Sequence, residues 1–559
     1  MTLHPLYALS STPRIPDIRR LPEDLLFLIF SMLHGQDIAR CIMVCRCFED
    51  VVHINLHLQY RIELAKNGMV DGHSSSLAVS ERLQRLRQYS SNFRNGIFDY
   101  EDLSGHTQHI LQLINLRQNG MKLKYVEGSS LALYSKRNLS CLSIFKHGSA
   151  QAGIPSSRWI MPVGSQGDPS RSFRLWDIDI AQDLLVTAEL VGLPSPAWMS
   201  RLAEVRFCSF SRSKTIRTDH PAAKLPCIQV FPPAGSDQTV KIRIFGLWIN
   251  THHVIWGLAT HGTACSYSLE VCNWRTGQVI SRIDVGTQSV PDVIRLDSSR
   301  LLVTRKPPES PYLHIYSISP SAPNRPMCTL QLPGLNSGER LMGYKISSSL
   351  RPPALEGHFR ADPLLSILVL TCRIRGPEGE YITHLLIPST TLLAQVDAAL
   401  DSPDSREHPD TPPVPVPWKD WGPHGCLRLH VHLASGHVPD DIALIPSLIP
   451  SGSRMPLVWF EDPNVKRASV YVFEINPLAA RHARLLAARS DGSQATAVVG
   501  DVEAALPGVV DPECSAIPYV VYRFRLPYSP LERHHWHRIR SVDMSMTGFT
   551  VRVSVWSLL

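Results

Sequence analysis

The hydrophobic period of this chain changes once, near residue 100, and that change limits what it can fold into. Ahead of it, apolar residues recur at the spacing of amphipathic helices. Behind it, more than 400 residues carry only short β-type runs between turn residues. These fall at 123–126, 183–190, 228–231, 240–248, 267–274, 300–304, 313–318, 364–371, 427–431, 469–473 and 519–524. So many short strands cannot close a single sandwich. Radial repetition in a propeller accommodates them with short edges, as roughly six to eight four-stranded blades. Forty-four prolines against 32 glycines agree with many turns and few long helices. The expected fold class is α+β and multidomain. A small all-α bundle and linker helices come first, and a large all-β, propeller-like domain follows.

Two patterns sharpen the β expectation. Alternation in Tyr267-x-Leu269-x-Val271, a turn at Arg275-Thr276-Gly277, and Gln278-Val279-Ile280 read as a hairpin. Asp183 to Thr187, Ser299 to Thr304 and Leu364 to Thr371 echo one another as a degenerate, unevenly spaced repeat. Between Asp401 and Pro417, six prolines and four acidic residues leave almost no large apolar side chain. That stretch is expected to be a flexible inserted loop, with Ser402 and Ser405 open to phosphorylation.

Near the start, Pro22 suits a first helical turn, and Glu23 and Asp24 suit the positive end of the helix dipole. Leu25, Leu26, Ile29, Phe30 and Leu33 then form one broad apolar face. Gly35 is expected to end that helix and Asp37 to cap a second, in which Ile38, Cys41, Ile42, Cys45 and Phe48 repeat the pattern. Phe27, Leu28, Met32, Met43 and Val44 lie partly outside those faces. A helix pair that is apolar on more than one side needs an external cover. Further helices are expected at 58–72 and 80–95, the latter with Leu83, Leu86 and Phe93 inside and Arg82, Arg85, Arg87 and Arg94 on a solvated face.

The register Leu21-Pro22-x-x-Leu25-Leu26-x-x-Ile29-Phe30-x-x-Leu33, then Asp37-Ile38-x-x-Cys41-x-x-Val44-Cys45-Arg46-x-Phe48, resembles the F-box motif. It departs by carrying His34 where proline is common and Phe48 where tryptophan is usual. The remainder resembles F-box proteins of the mushroom-forming fungi, through Leu58-Gln59-Tyr60-Arg61-Ile62-Glu63-Leu64-Ala65-x-x-Gly68-Met69, Glu81-Arg82-Leu83-x-x-Leu86, Asn273-Trp274-Arg275-Thr276-Gly277 and Trp421-Gly422-Pro423. The resemblance implies a non-catalytic substrate receptor of a Skp–cullin–RING ubiquitin ligase. Its partners would be a Skp-type adaptor, through it the cullin and RING subunits, and a protein substrate, with no cofactor. Leu21, Pro22, Leu25, Ile29, Leu33, Ile38, Val44 and Phe48 match motif positions as adaptor contacts or as residues that hold the contact surface. The implied domains are a lead-in at 1–16, the F-box at 17–57, a helical linker at 58–104 and a substrate-binding β domain at 105–559. Two alternatives stand beside this reading, a propeller-fold hydrolase and an F-box protein acting outside ubiquitination.

Other chemistry finds little footing. The net charge is +7 and no run of five Lys or Arg appears, so a nucleic-acid partner is not expected. No apolar run reaches the roughly 20 residues that span a bilayer, and no signal peptide is visible. Twelve scattered cysteines fit reduced thiols, so an intracellular protein of cytoplasm or nucleus is expected. Cys41, Cys45 and Cys47 lack a nearby histidine to complete a metal site. His534, His535 and His537 are crowded by Arg533, Arg538 and Arg540, and read as a solvated strand end. Asp177 and Asp179 read as a polar strand face rather than an acid–base pair. Trp198, Trp248, Trp256, Trp418 and Trp421 are substrate-pocket candidates by type only and read better as packing residues. The short nucleotide, hydrolase and metalloprotease motifs are absent.

Overall fold

The computed structural model describes residues 21–72, 76–97, 122–126, 130–134, 141–146, 152–155, 157–162, 171–191, 202–211, 218–232, 240–262, 265–286, 290–305, 312–320, 324–349, 357–401, 413–432, 447–462, 467–489, 498–499, 506, 508–514, 516–525, 539–545 and 548–553. The lead-in at 1–16, the histidine cluster at 534–537, Trp198, Ser402 and Ser405 lie outside them.

Five helices open the described chain: α1 (Glu23–Met32), α2 (Gly35–Cys41), α3 (Arg46–Ile54), α4 (Leu56–Lys66) and α5 (Val79–Arg94). Two expectations are corrected here. Gly35 does not end α1. That helix stops where Leu33 turns extended, and Gly35 begins α2. A Cβ on Gly35 would stand 2.4 Å from the Arg61 carbonyl oxygen, so the glycine admits the backbone of α4. The second expected helix is also two helices. Met43 and Val44 donate to Arg40 and Cys41 in tight i→i−3 bonds, and Cys45 is extended before α3 starts. The redirected α3 brings the Phe48 ring edge-on to Phe30, 5.1 Å between centroids.

The helix expected at 58–72 stops at Lys66. Gly68 takes a left-handed φ of 65°, and the chain continues as strand β1 (Met69–Asp71). Helix α5 matches its expectation, with Leu83, Leu86 and Phe93 buried. Its arginine face is not simply solvated, however. Arg82 reaches both carboxylate oxygens of Asp71 at 2.6 Å and lies 5.1 Å over the Tyr60 ring.

Strands then dominate as a series of separate antiparallel sheets. The first is β2 (Lys122–Val126), β3 (Ser130–Tyr134), β4 (Cys141–Lys146) and β5 (Ser157–Pro162). The second runs β6 (Arg171–Asp179), β7 (Leu184–Val191), β8 (Leu202–Ser209) and β10 (Cys227–Val230), with β9 (Thr218–Asp219) on β8. The third is β11 (Lys241–Asn250), β12 (His253–His261), β13 (Cys265–Asn273) and β14 (Gln278–Gly286), and contains the expected hairpin. There Gly277 is left-handed at φ 76°, and the Asn273 carboxamide accepts from the Arg275 and Thr276 amides. The fourth is β15 (Asp292–Arg295), β16 (Arg300–Arg305), β17 (Tyr312–Ser317) and β18 (Cys328–Gln331).

The short β20 (Phe359–Ala361) pairs with β1 and so joins the helical part to the strands. The fifth sheet is β19 (Arg340–Ser348), β21 (Ile367–Gly376), β22 (Gly379–Pro388) and β23 (Leu427–His432), with α6 (Ser389–Asp401) and α7 (Trp418–Gly425) inserted before β23. Two further sheets close the chain. In one, β25 (Arg454–Asp462), β26 (Arg467–Glu474), β28 (Val520–Arg525) and β27 (Val498–Val499) pair in that order, with α8 (Pro477–Arg489) after β26. In the other, β24 (Ser447–Ile449) lies parallel to β29 (Ile539–Ser545), which pairs with β30 (Gly548–Val553).

Successive sheets bury opposite faces against each other, as two-residue alternation requires. On β12, Val254 and Trp256 pack toward the second sheet, whereas Ile255 packs toward the fourth. On β16, Leu301 and Val303 face the third sheet and Leu302 the fifth. On β21, Leu368 and Leu370 face the fourth, while Ile367 and Val369 meet Met455, Leu457 and Phe473. The three echoing segments fall on β7, β16 and β21, each the second strand of its sheet. Each carries a buried threonine, Thr187, Thr304 or Thr371.

Candidate functional site

Helix α1 carries two apolar stripes rather than one broad face. Leu26 and Phe30, four residues apart, are buried with Ile38, Phe48, Val51 and Val52 and with Leu58 and Ile62 of α4. Leu25, Leu28, Ile29 and Met32 lie on the opposite side and stay in solvent, Met32 at 84% exposure. The turn between α2 and α3 adds Met43 and Val44, exposed at 65% and 68%. Apolar surface at this density marks an interaction site.

The eight motif residues therefore divide. Pro22, Leu25, Ile29 and Val44 are exposed, whereas Leu21 and Leu33 are half-buried against the core. Ile38 and Phe48 lie inside it. Leu28, Met32 and Met43 join the exposed set although the motif register does not single them out. Their position outside the inward faces was the available signal. The Arg61 guanidinium, partly buried, donates to the Ser31 carbonyl and so ties the end of α1 to α4. The Cys41 thiol is pushed up by burial and by Asp37, which disfavours a metal-binding thiolate.

The helices are held onto the strand region by buried polar contacts. Tyr60 donates to Asp71 at 2.9 Å and to the His358 carbonyl at 3.2 Å, and burial together with Asp71 raises its phenol well above the usual range. Asn476 donates to the Ala65 carbonyl at 2.7 Å, which satisfies a carbonyl at the C-terminus of α4. Arg454 on β25 reaches Glu474 at 2.6 Å, the Tyr89 hydroxyl at 2.8 Å and the Asn67 carbonyl at 3.3 Å.

Groups considered for other chemistry have structural partners. Asp177 accepts from the Ile249 amide at 3.0 Å, and Asp179 accepts from Gln182. Trp256 is buried and donates to Glu270, and Trp421 donates to the Gln331 carbonyl at 3.0 Å while packing edge-on to Trp418. Trp248 is half-buried against Phe245. A cleft of about 360 Å³ lined by Leu56, Ser80, Leu83, Gln84, Arg87 and Gln88 holds no carboxylate, histidine or cysteine. Among the described residues, no group of three or more His, Cys, Asp or Glu side chains is arranged to hold a metal ion. No helix of the described residues is long and apolar enough to cross a membrane.

A helical unit with its own core and an uncovered apolar side is the geometry an adaptor-binding module needs. Residues 18–64 match the F-box-like family model. The F-box-like domain thus takes in α1 to α4, including Leu58 and Ile62, which complete its core. F-box domains bind a Skp-type adaptor within cullin–RING complexes, and the proteins that carry them are generally non-catalytic substrate receptors. No curated protein matches the chain. Two solved structures of Kluyveromyces lactis Hsv2 are similar to this chain at 10% identity each. One has a TM-score of 0.21 and spans 48% of this chain and 80% of its own. The other has a TM-score of 0.18 and spans 48% of this chain and 92% of its own.

Proposed function

We propose that this chain is the substrate-receptor subunit of a Skp–cullin–RING ubiquitin ligase. The observation that carries the reading is the exposed apolar side of the F-box-like domain, formed by Leu25, Leu28, Ile29, Met32, Met43 and Val44 around a core that is already filled. Covering these partly exposed apolar side chains removes them from water and so favours association, offset by the cost of bringing two bodies together. In this reading Pro22, Leu25, Ile29 and Val44 touch the adaptor. Leu21, Leu33, Ile38 and Phe48 hold those residues in place.

The strand region, about residues 105–559, selects the protein to be ubiquitinated and is read as a β-propeller of the kind found behind F-boxes in mushroom-forming fungi. Antiparallel sheets that follow one another in sequence, the third, fourth and fifth of which bury both faces against their neighbours, support that architecture. The end of α4, β1 and α5 link dock and platform, and Arg454 and Asn476 fix the link at the platform end. Ubiquitin transfer falls to other subunits, so the chain needs no nucleophile, base or cofactor of its own. The test is assembly. Purified chain, Skp-type adaptor, cullin and RING subunit should elute together from a sizing column and ubiquitinate a protein captured by the strand region. Elution of the chain apart from the adaptor would overturn the reading.

A further inference from the structure

Helix α8 belongs to the strand region by sequence, yet it packs on α4 of the F-box-like domain. Its inward side is small and apolar, with Ala479, Ala480 and Ala483 buried. Arg481, Arg484 and Leu485 are exposed, and at roughly 100° per residue they share a face about 100° wide. That face abuts the exposed turn between α2 and α3. Nη2 of Arg481 lies 3.0 Å from Sδ of Met43, and Val44 and Arg46 continue the surface along the chain. Leu485 remains 54% exposed, and neither Arg481 nor Arg484 has an acidic partner among the described residues. An apolar patch bordered by two arginines that have no acidic partner among the described residues is continuous with the proposed dock and complementary to a partner whose apolar contact is flanked by carboxylates.

We infer that the outward face of α8, Arg481, Arg484 and Leu485, extends the adaptor-docking surface of the F-box-like domain, so that the adaptor is held by both parts of the chain at once. The inference rests on the adaptor-binding reading above and adds a consequence to it. A partner gripping Met43 and Val44 on one side and α8 on the other fixes the strand region relative to the rest of the ligase. The arginines meet an acidic flank of the adaptor, and Leu485 continues its apolar contact.

The experiment is calorimetric titration of full-length chain with the Skp-type adaptor at about 50 and about 300 mM salt, where screening lengths are about 14 and about 5.5 Å. The variants are wild type, R481E/R484E, R481K/R484K and L25D. Expected are binding about tenfold weaker for R481E/R484E, near-wild-type binding for R481K/R484K, and a shallower salt dependence in the glutamate variant. Because both arginines are exposed, matching circular dichroism of wild type and variants is expected. If R481E/R484E binds within twofold of wild type while L25D abolishes binding, α8 lies outside the interface and the adaptor-binding reading stands. A loss of affinity that leaves the salt dependence unchanged also overturns the inference, because the arginines then act only through Met43. If wild type does not bind, both readings fall.

Discussion

Replacing Arg454 by methionine should loosen the joint between the docking helices and the strand platform, by an amount the geometry allows to be worked out. The guanidinium is almost fully buried and donates to Glu474, to the Tyr89 hydroxyl of α5 and to the Asn67 carbonyl at the end of α4. It also lies 4.1 Å over the Phe93 ring. Methionine keeps much of the volume and loses every donor. Glu474, 1% exposed, is left with the Ser453 hydroxyl and the Asn476 amide as partners. Three charge-assisted bonds at about 1.5–3 kcal/mol each set an upper bound near 9 kcal/mol. Stranding one partner of a buried pair costs about 3–5 kcal/mol, and that value should govern because the methionine recovers packing. Glu474→Gln alone should cost a similar amount. The double variant R454M/E474L should cost much less than the sum, since no buried charge remains. Urea unfolding followed by circular dichroism measures this as a shift of midpoint at unchanged slope. A cost below about 1 kcal/mol for R454M, or strict additivity in the double variant, would refute the reasoning.

Three further outcomes follow from single contacts. Gly35→Ala should destabilise the F-box-like domain by about 1–3 kcal/mol, because its Cβ would meet the backbone of Arg61 and Cβ of Ala65. A gain in thermal stability, the usual result of Gly→Ala in an uncrowded helix, would contradict the close approach of α4. Phe48→Ala should cost about 3–5 kcal/mol in urea unfolding through loss of the edge-on contact to Phe30, and a cost under about 1 kcal/mol would place Phe48 outside the core. His384 is fully buried against Thr371, and burial with help from His430 lowers its pKa to about 3. A depressed histidine pKa favours the neutral folded form, so stability is intact above about pH 6.5 and falls as the pH drops toward 3, by about 1.4 kcal/mol per unit. Unfolding free energies between pH 7 and 4.5 should fall less steeply in His384→Gln than in wild type by about that slope, with the remaining slope carrying His482, and equal slopes would remove His384 as a cause.

Much of the architecture could be read from local pattern, because local pattern is what decides it. The hairpin of β13 and β14 has its alternation, its asparagine and its left-handed glycine in one stretch. Helix α5 shows its buried Leu83, Leu86 and Phe93 at helical spacing. The echo among Thr187, Thr304 and Thr371 reflects a common place in the second, fourth and fifth sheets. What escaped reading depends on distant neighbours. Periodicity puts Leu25, Leu26, Ile29, Phe30 and Leu33 on one broad face, but only α3 and α4 decide that Leu26 and Phe30 go inward and Leu25 and Ile29 outward. Gly35 looked like a helix terminator because its real reason, the carbonyl of Arg61, lies 26 residues away in the chain. Arg82 looked solvated because Asp71 reaches it only through the pairing of β1 with β20.

The central claim is that Leu25 and its exposed neighbours are an adaptor dock, and one affinity measurement tests it most directly. Full-length chain is titrated with a Skp-type adaptor as wild type, as Leu25→Asp, and as Leu364→Asp, which places the same charge on an equally exposed leucine of the strand region. A charge carried into an apolar interface costs several kcal/mol, so Leu25→Asp should weaken binding at least about a hundredfold while Leu364→Asp leaves it unchanged. Equal affinity for all three proteins, or no binding by wild type, would contradict the account.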